Sequence, residues 1–292
     1  LSYEQLQSDF PRLVYCSISG FGQDGPYAQR AGYDFMIQAM GGIMSVSGPE
    51  SGPPYKVGVG IADIMCGMYA SNAIQAALLH REHSGKGQHI DLALFDTQLA
   101  WLANTGMNYL TSGEPAERYG NGHPNIVPYD AFPCADQYIA LAIGNDAQFR
   151  RFCEFAEIPE IAADPHFSSN RQRVAHREEC NHIVAQATGK RYLQEWLEGL
   201  EPLGVPCGPV NSIEQAFADP QAQHREMWLR MPHPDALDHK VDLIANPVKF
   251  SSTPVIYRRP PPSLGEHRDE ILEQELGLSR EEIERLAAKA II

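Results

Sequence analysis

The amino-acid sequence predicts an α/β protein with a layered sheet in its first part and a smaller α+β unit after it. Strand and helix patterns alternate through residues 1–113, as in a βαβ arrangement. Over residues 114–129 the composition changes to Gly, Pro, Asn and Arg, which is typical of a domain boundary. We therefore expect a large domain at residues 1–113, a small domain at residues 114–220 and a C-terminal segment at residues 221–292.

The elements of the large domain follow from residue spacing. A β-rich alternating stretch ends at Gly20, and the turn residues after it predict a loop. In α/β sheets, ligands usually lie at loops that follow the carboxyl ends of strands. Asp34 opens the first helical pattern, where an acid favours the helix dipole. The strand patterns lie at residues 13–19 and 89–95, and the helical patterns lie at residues 33–44, 64–78 and 96–110.

The most informative stretch is 57–68. A short apolar run that alternates with glycine leads to Asp63, and apolar residues and alanines at helical spacing follow it. This pattern predicts a helix buried on most of its circumference, with Asp63 at its N-terminus. The Asp63 carboxylate is then either an N-cap that accepts hydrogen bonds from free N–H groups, or a nucleophile that the flanking glycines leave accessible.

Beyond residue 129 the patterns are those of a mixed unit. Extended stretches are predicted at residues 138–143, 205–210 and 239–250. Helices are predicted at residues 146–156, 173–187, 192–203 and 213–217, and an acidic amphipathic helical tail at residues 265–290.

Composition excludes several classes of function. The chain has 292 residues, 43% of them hydrophobic and 21% charged, which is ordinary for a globular protein with an ample core. A net charge of −14 argues against a nucleic-acid partner, because phosphate is bound by basic surfaces. No apolar run is long enough to span a bilayer and no signal peptide precedes the first element, so no membrane partner is predicted. The six scattered cysteines predict free thiols and a cytoplasmic location.

No motif for a metal ion or a bound nucleotide is present. The eleven histidines show neither HxxxH nor HExxH spacing, and no Walker loop or G-x-S-x-G elbow occurs. Gly20-Phe21-Gly22 begins a dinucleotide fingerprint without completing it, and Gly120-Asn121-Gly122 fits a tight turn. We therefore expect no metal and no tightly bound cofactor.

Multi-residue blocks run in order along essentially the whole chain. They are Gly20-Phe21-Gly22, Gly25-Pro26-Tyr27, Gly32-Tyr33-Asp34, Gln38-Ala39, Gly41-Gly42, Gly60-Ile61-Ala62-Asp63, Gly67-Met68, Ser84-Gly85-Lys86-Gly87-Gln88, Gly144-Asn145-Asp146, Val205-Pro206-Cys207-Gly208-Pro209-Val210 and Leu264-Gly265-Glu266-His267. This series resembles the family III CoA-transferases, also called the CaiB/BaiF or formyl-CoA transferase family. The resemblance implies a Rossmann-like large domain, here incomplete at its N-terminus, a smaller α+β domain and a C-terminal segment that returns to the large domain. It also implies an interlocked homodimer.

The resemblance implies a function as well. Asp63 matches the family's nucleophile, which attacks the thioester of an acyl-CoA donor to give a mixed anhydride and then an aspartyl-CoA thioester. A small carboxylic acid acceptor finally collects CoA, so the CoA thioester is a substrate. Residues 119–129 are more similar to members that use succinyl-CoA and dicarboxylate acceptors than to the formyl-CoA enzyme.

Two further segments match substrate-binding parts of the family. The residues Arg30, Ala31, Gly32, Tyr33 and Asp34 match a segment that contacts bound CoA; a family member has lysine where this chain has Ala31, beside Arg30. The residues Asn121, Gly122 and His123 match a glycine-rich loop that closes over the reacting acyl groups, where backbone N–H groups can meet an oxyanion.

Two alternatives accompany this interpretation. The α-methylacyl-CoA racemases share the fold and use a His–Asp pair for proton transfer. Their histidine precedes the aspartate that matches Asp34, and Tyr33 at that position argues against racemisation. The second alternative is an inactive, truncated CoA-transferase that lacks the family's N-terminal segment and keeps the fold without enough of the CoA site.

Overall fold

The computed structural model describes all 292 residues, Leu1–Ile292, which form two compact units. One unit comprises Leu1–Val210 and the other comprises Asn211–Ile292. The domain boundaries expected after residues 113 and 220 stay predictions. None of the helices combines the length and the apolar character that crossing a bilayer requires.

The first part of the Leu1–Val210 unit contains a βαβ arrangement. In chain order its elements are α1 (Tyr3–Leu6), β1 (Tyr15–Ser19), α2 (Asp34–Met40), α3 (Ile43–Val46), α4 (Ile61–Ser84), β2 (His89–Ala93), α5 (Leu94–Ala100) and α6 (Ala103–Ser112). The strands β1 and β2 are parallel neighbours, with Tyr15 opposite His89 and Ser19 opposite Ala93. Parallel strands need a long connection, and α4 is part of it. The predicted α/β class is therefore confirmed.

The helix α4 buries only a narrow stripe, so the prediction of a helix buried on most of its circumference is wrong. The residues it buries are small, namely Ala62, Cys66, Ala70 and Ala77. This stripe lets α4 pack closely against α2 and α5. In contrast, Ile64, Met68 and Leu79 are each more than half exposed. Residue spacing shows that apolar stripes exist, but tertiary packing decides which stripe is covered.

A small hydrophobic cluster lies where these helices meet. Its buried members are Ile37 of α2, Ala62 and Cys66 of α4, and Leu94 of α5. Phe21, Leu92 and Phe95 pack against it from the side. The cluster therefore ties the beginning of α4 to the ends of both strands.

The second part of this unit has a three-stranded antiparallel sheet covered by helices. Its elements are β3 (Tyr129–Pro133), β4 (Tyr138–Ala142), α7 (Asp146–Phe155), α8 (Pro159–Ala163), α9 (Asn170–Ala175), α10 (Arg177–Thr188), α11 (Leu193–Leu200) and β5 (Cys207–Pro209). The strand order is β3-β4-β5, with Ala131 opposite Ala140 and Ala140 opposite Gly208. Seventeen buried residues form one core under the helices, among them Phe152, Trp196 and Leu141.

The unit Asn211–Ile292 consists of short helices and one antiparallel strand pair. Its elements are α12 (Ile213–Ala218), α13 (Pro220–His224), β6 (Trp228–Pro232), β7 (Lys240–Ile244), α14 (Arg268–Gln274) and α15 (Arg280–Ala288). Trp228 lies opposite Ile244 and Pro232 opposite Lys240. The acidic tail predicted as helical does contain two helices, α14 and α15.

Candidate active site

The helix that carries Asp63 begins at a glycine. Gly60 is the N-cap of α4, and Asp63 lies in the first turn with an exposed side chain. The N-cap position of α4 is occupied by Gly60, which has no side chain to cap the helix. The alternative in which Asp63 is the N-cap is therefore wrong. Its carboxylate stands near the positive end of the helix dipole, in a place where anions are stabilised.

One free backbone N–H group at this helix end, that of Ala62, is bound by another acid. The Ala62 N–H donates to Asp34 Oδ1 at 2.8 Å, and Asp34 lies in the first turn of α2. Gln38, one turn along α2, donates from Nε2 to Asp34 Oδ2 at 2.7 Å. The cap of α4 is thus supplied by α2.

The two carboxylates lie on either side of Gly60. A Cβ atom built on Gly60 would lie 3.8 Å from Asp34 Oδ1 and 3.8 Å from Asp63 Oδ2. Because glycine has no side chain, the space between the two acids stays open to a ligand that approaches the backbone.

The cysteine one turn beyond Asp63 is not a competing nucleophile. Cys66 is buried, and burial raises the pKa of its thiol, with a smaller opposing effect from the hydrogen bond to Thr97. A neutral thiol is a poor nucleophile compared with the thiolate. Asp63 is therefore the group at this helix end that combines exposure with nucleophilic character.

The segment predicted to contact CoA lies against the loop that follows β1. A Cβ atom on Gly20 would lie only 2.5 Å from the Gly32 Cα, so the two backbones touch. The Arg30 guanidinium stacks over the Tyr27 ring at 4.5 Å and the Phe21 ring at 5.6 Å.

The other residues of that segment differ in their surroundings. Ala31 is exposed, and Tyr33 is 72% exposed. Asp34 is the exception, since both its oxygens accept hydrogen bonds from the protein. Arg30 to Tyr33 are therefore available to a ligand, whereas the Asp34 carboxylate is occupied.

The residues Asn121, Gly122 and His123 lie on a tight turn. The Gly122 N–H donates to the Tyr119 carbonyl at 2.8 Å, and Gly120 has a φ of 61°, in the left-handed region that favours glycine. His123 donates its backbone N–H to the Tyr129 carbonyl and accepts the Asn125 N–H at Nδ1. Tight-turn geometry and a substrate-loop role are compatible, because Gly120 and Asn121 of this turn are exposed.

Side chains from α9 and α10 hold this loop by its carbonyl groups. Arg177 donates to the Pro124 carbonyl at 2.7 Å, Asn170 to the Asn125 carbonyl at 2.9 Å, and Arg173 to the Val127 carbonyl at 2.7 Å. Arg177 also stacks over the Tyr119 ring at 5.0 Å, so it touches both ends of the turn. Sequence reasoning missed these three residues; their only sequence signal is polar side chains at helical spacing.

A half-buried acid, Asp130, lies next to the same loop. Burial raises the pKa of the Asp130 carboxyl, while the Ala131 N–H and the charge of Arg177 act in the opposite direction. Asp130 Oδ2 lies 3.5 Å from the position of a Cβ on Gly122. A Cβ at position 122 would be in ordinary contact with this carboxyl group, but it would lie only 2.9 Å from the Tyr119 carbonyl oxygen, so a larger residue would disturb the turn.

Two cavities lie beside the loop, and neither includes Asp63. A cavity of about 460 Å³ is lined by Tyr119, Gly120 and Gly122 together with the end of α6, and another of about 470 Å³ by Asn121 and the β3-β4-β5 sheet. Asp63 lines neither of them. No group of three or more His, Cys, Asp or Glu side chains could hold a metal ion.

Comparisons with known proteins agree with the resemblance seen in the sequence. The description of CoA-transferase family III matches residues 1–268. The chain is 49% identical to the succinate–glutarate CoA-transferase of Agrobacterium fabrum, over 93% of this chain and 68% of that protein. It is 37% identical to the succinyl-CoA:glutarate CoA-transferase of Homo sapiens, over 100% of this chain and 66% of that protein.

A solved structure of a protein from the same family also matches this chain. The CAIB/BAIF family protein from Brucella suis matches with a TM-score of 0.80 and 44% identity, over 93% of this chain and 70% of that one. This chain spans about two thirds of the length of the curated relatives it matches. The fold, the order of the sequence blocks and these matches agree, and the chain belongs to CoA-transferase family III.

Proposed function

We propose that this protein transfers CoA from an acyl-CoA donor to a carboxylic acid, with Asp63 as the covalent nucleophile. The observation that carries the proposal is the state of the Asp63 carboxylate. It is exposed at the N-terminus of a long helix, and the adjacent N–H group of that helix is capped by Asp34. A carboxylate in this position is exposed, does not cap the helix and can attack an electrophile.

The reaction consists of two transfers of CoA, first from the donor to the Asp63 carboxylate and then from Asp63 to the acceptor. An Asp63 oxygen attacks the thioester carbonyl of the donor. The C–S bond breaks, CoA leaves as the thiolate, and a mixed anhydride between Asp63 and the donor acid remains. The thiolate then attacks the Asp63 carbonyl and releases the donor acid, which leaves an aspartyl-CoA thioester. The acceptor carboxylate attacks the carbonyl of that thioester, the C–S bond breaks, and a second mixed anhydride and the CoA thiolate form. The thiolate then attacks the acceptor's acyl carbonyl, which gives the new acyl-CoA and releases the Asp63 carboxylate.

The chain supplies groups for each exchange. The first N–H groups of α4 favour the negative charge that develops beside Asp63. Arg30, with Tyr27 and Phe21, offers a cationic and aromatic surface to the CoA portion. The turn at Asn121, Gly122 and His123 shapes the acceptor side. The Gly122 and His123 N–H groups are bonded within the protein, whereas Asn121 is exposed and its backbone N–H group can approach an oxyanion. Water must be excluded, because both anhydrides hydrolyse readily.

We infer that the donor is succinyl-CoA and that the acceptor is a dicarboxylic acid such as glutarate. Similarity to two relatives with succinate or succinyl-CoA and glutarate in their names supports this choice. The chain is also 37% identical to the acetyl-CoA:oxalate CoA-transferase of Acetobacter aceti, so oxalate is the acceptor against which glutarate should be compared.

We also propose a homodimer. Two features support it: neither cavity beside the loop includes Asp63, and Ile64 and Met68 expose apolar side chains one turn apart on α4, the helix that carries Asp63. Exposed apolar groups of this kind mark interaction surfaces. A cytoplasmic location stays a prediction from the scattered cysteines.

The deciding experiment is intact-protein mass spectrometry after incubation with succinyl-CoA. The parent chain should gain a CoA adduct that hydroxylamine converts to a hydroxamate at residue 63, and Asp63→Ala should gain none. Asp9→Asn is the matched control, since Asp9 is an exposed acid in the turn after α1. We expect transfer to glutarate to fall by about a thousandfold or more in Asp63→Ala, as for the loss of a nucleophile.

Three results would count against the proposal. An adduct that persists in Asp63→Ala would place the nucleophile elsewhere. Exchange of the α-proton of a 2-methylacyl-CoA with solvent, without transfer, would identify a racemase. A parent chain that gains heat stability from CoA but forms no adduct with succinyl-CoA or acetyl-CoA would be an inactive member of the fold.

A further inference from the structure

The turn that leads into α4 is held by two side chains of α2. Residues 57–60 have no regular secondary structure, so their backbone groups need other partners. Gln38 Oε1 accepts the Val57 N–H at 2.9 Å, and Gln38 Nε2 lies 3.4 Å from the Val59 carbonyl. Asp34 Oδ1 accepts the Ala62 N–H at 2.8 Å. The two side chains thus span the whole approach to Asp63.

The polarity of this pair is fixed. Gln38 is fully buried, with its carbonyl oxygen on the Val57 N–H and its amide nitrogen on Asp34 Oδ2 at 2.7 Å. Reversal of the Gln38 amide would set its oxygen against a carboxylate oxygen and its NH₂ group against an N–H. A buried polar group without a partner is costly, so one orientation is strongly preferred.

We propose that Asp34 and Gln38 are positioning residues that hold the turn before Asp63 and leave the Asp63 carboxylate uncommitted. This rests on the proposed role of Asp63 as the nucleophile. Asp34 acts in place of Asp63 as the acceptor for the helix N–H. Asp34 Oδ1 accepts the helix N–H and Asp34 Oδ2 accepts the Gln38 amide, so the pair acts through Asp63 and not by binding CoA.

Exchanging the two functional groups tests this role. Asp34→Asn alone places an NH₂ group against the Gln38 NH₂ group, and Gln38→Glu alone places two carboxylates together. The double variant Asp34→Asn/Gln38→Glu restores a donor on residue 34, an acceptor on residue 38 and the original net charge. Asp9→Asn/Gln7→Glu is the matched control, with the same exchange at two exposed positions.

Three measurements on each folded variant separate the possibilities. They are the rate of Asp63 adduct formation at saturating succinyl-CoA, the KM for succinyl-CoA, and hydrogen–deuterium exchange of peptides that cover residues 57–66. We expect the single variants to form the adduct about tenfold to a hundredfold more slowly, with faster exchange in this segment and little change in KM. The double variant should return to within about threefold of the parent rate, because the hydrogen bonds to the Val57 and Ala62 N–H groups and the bond between residues 34 and 38 are restored, and only the longer contact with the Val59 carbonyl is lost.

Other results would overturn the proposal. If the single variants fold and react at the parent rate, the pair does not position Asp63. If the double variant folds but remains slow, or its KM for succinyl-CoA rises, the carboxylate is needed at position 34 itself, as for a CoA contact. Where the single variants do not fold, the double variant alone decides by the same criteria. If the parent forms no adduct, the exchange measurement still tests the positioning, while the missing adduct counts against the proposed function.

Discussion

The two parts of the Leu1–Val210 unit are built differently. The nucleophile region, residues 13–112, has a buried cluster of four residues around the start of α4. The loop region, residues 119–209, has a core of seventeen buried residues, with Phe152 and Trp196 stacked at its centre. The nucleophile region leaves Ile64 and Met68 exposed, while the loop region covers its largest apolar side chains.

This difference shows how each part fixes its functional residues. The loop region holds its turn through side chains anchored in the core; Arg173 is fully buried and also binds Asp146 at 2.9 Å. The nucleophile region holds Asp63 through backbone contact and polar capping, with little hydrophobic burial. An exposed apolar helix face, such as that formed by Ile64 and Met68, is typical of a surface that binds another chain.

The largest expected effect on stability concerns the two cores. Phe152→Ala should lower the free energy of unfolding by about 3–5 kcal/mol, because it leaves a cavity in a dense core. Ile64→Ala should change it by less than about 0.5 kcal/mol, because Ile64 is 51% exposed. Urea unfolding at low protein concentration measures both values.

An equal loss of unfolding free energy in Phe152→Ala and Ile64→Ala would contradict the difference between the two regions. If Ile64→Ala is destabilising only at high protein concentration, the exposed face of α4 is covered by a second copy. Leu79→Ala is a useful companion, since Leu79 lies on the same helix far from Asp63 and is 63% exposed.

A smaller effect is expected at the loop. Arg177→Ala removes the contact that joins Tyr119 to the Pro124 carbonyl, and we expect the KM for the acceptor acid to rise about tenfold. Adduct formation from succinyl-CoA should change little, because Asp63 is held by α2. Steady-state kinetics with glutarate and single-turnover mass spectrometry make the two measurements.

Arg171→Ala is the control for this variant, because Arg171 is an exposed arginine of α9. Arg177→Lys should recover only part of the effect, since lysine can donate to Pro124 but lacks the planar group that stacks. A rise in the KM for succinyl-CoA instead would assign the loop to the donor side.

The smallest expected effect is a pH dependence confined to the dense core. Burial raises the pKa of the Cys153 thiol to about 12, from 9.0. Above pH 9 the unfolded chain loses this proton while the folded chain keeps it, so the free energy of unfolding falls as pH rises towards 12. At pH 10 the parent should lose about 1 kcal/mol more, relative to pH 8, than Cys153→Ala.

The control for the pH experiment is Val184→Ala, which opens the same core without removing a titratable group. Its stability should lie below that of the parent by the same amount at both pH values. If Cys153→Ala shows the parent's pH dependence, the thiol ionises in the folded state and the core is less closed than the structure shows.

Sequence patterns predicted the position of Asp63 well. A glycine run before an apolar helical pattern determines where a helix begins, and this information is local. The burial of α4 was predicted wrongly, because a helix with one stripe of small residues and one of large residues offers two faces. Only the arrangement of α2 and α5 decides which one is covered.

The parts that sequence reasoning missed depend on distant residues. The strand β3 begins at Tyr129, directly after a stretch whose glycines and prolines indicated a linker. The strand β6 was also missed; it ends with Pro232, a residue that is disfavoured inside sheets. Asn170, Arg173 and Arg177 bind carbonyl groups about fifty residues earlier in the chain, and local spacing carries no information about such partners.

The contact between Gly20 and Gly32 has a mechanical consequence. Because the two backbones touch, a displacement of the loop after β1 would also displace Gly32. Gly32 stands two residues before Asp34, and Asp34 is bonded to the turn that carries Asp63. A ligand bound at Tyr27 and Phe21 would therefore be linked, through Gly32 and Asp34, to the turn that carries Asp63.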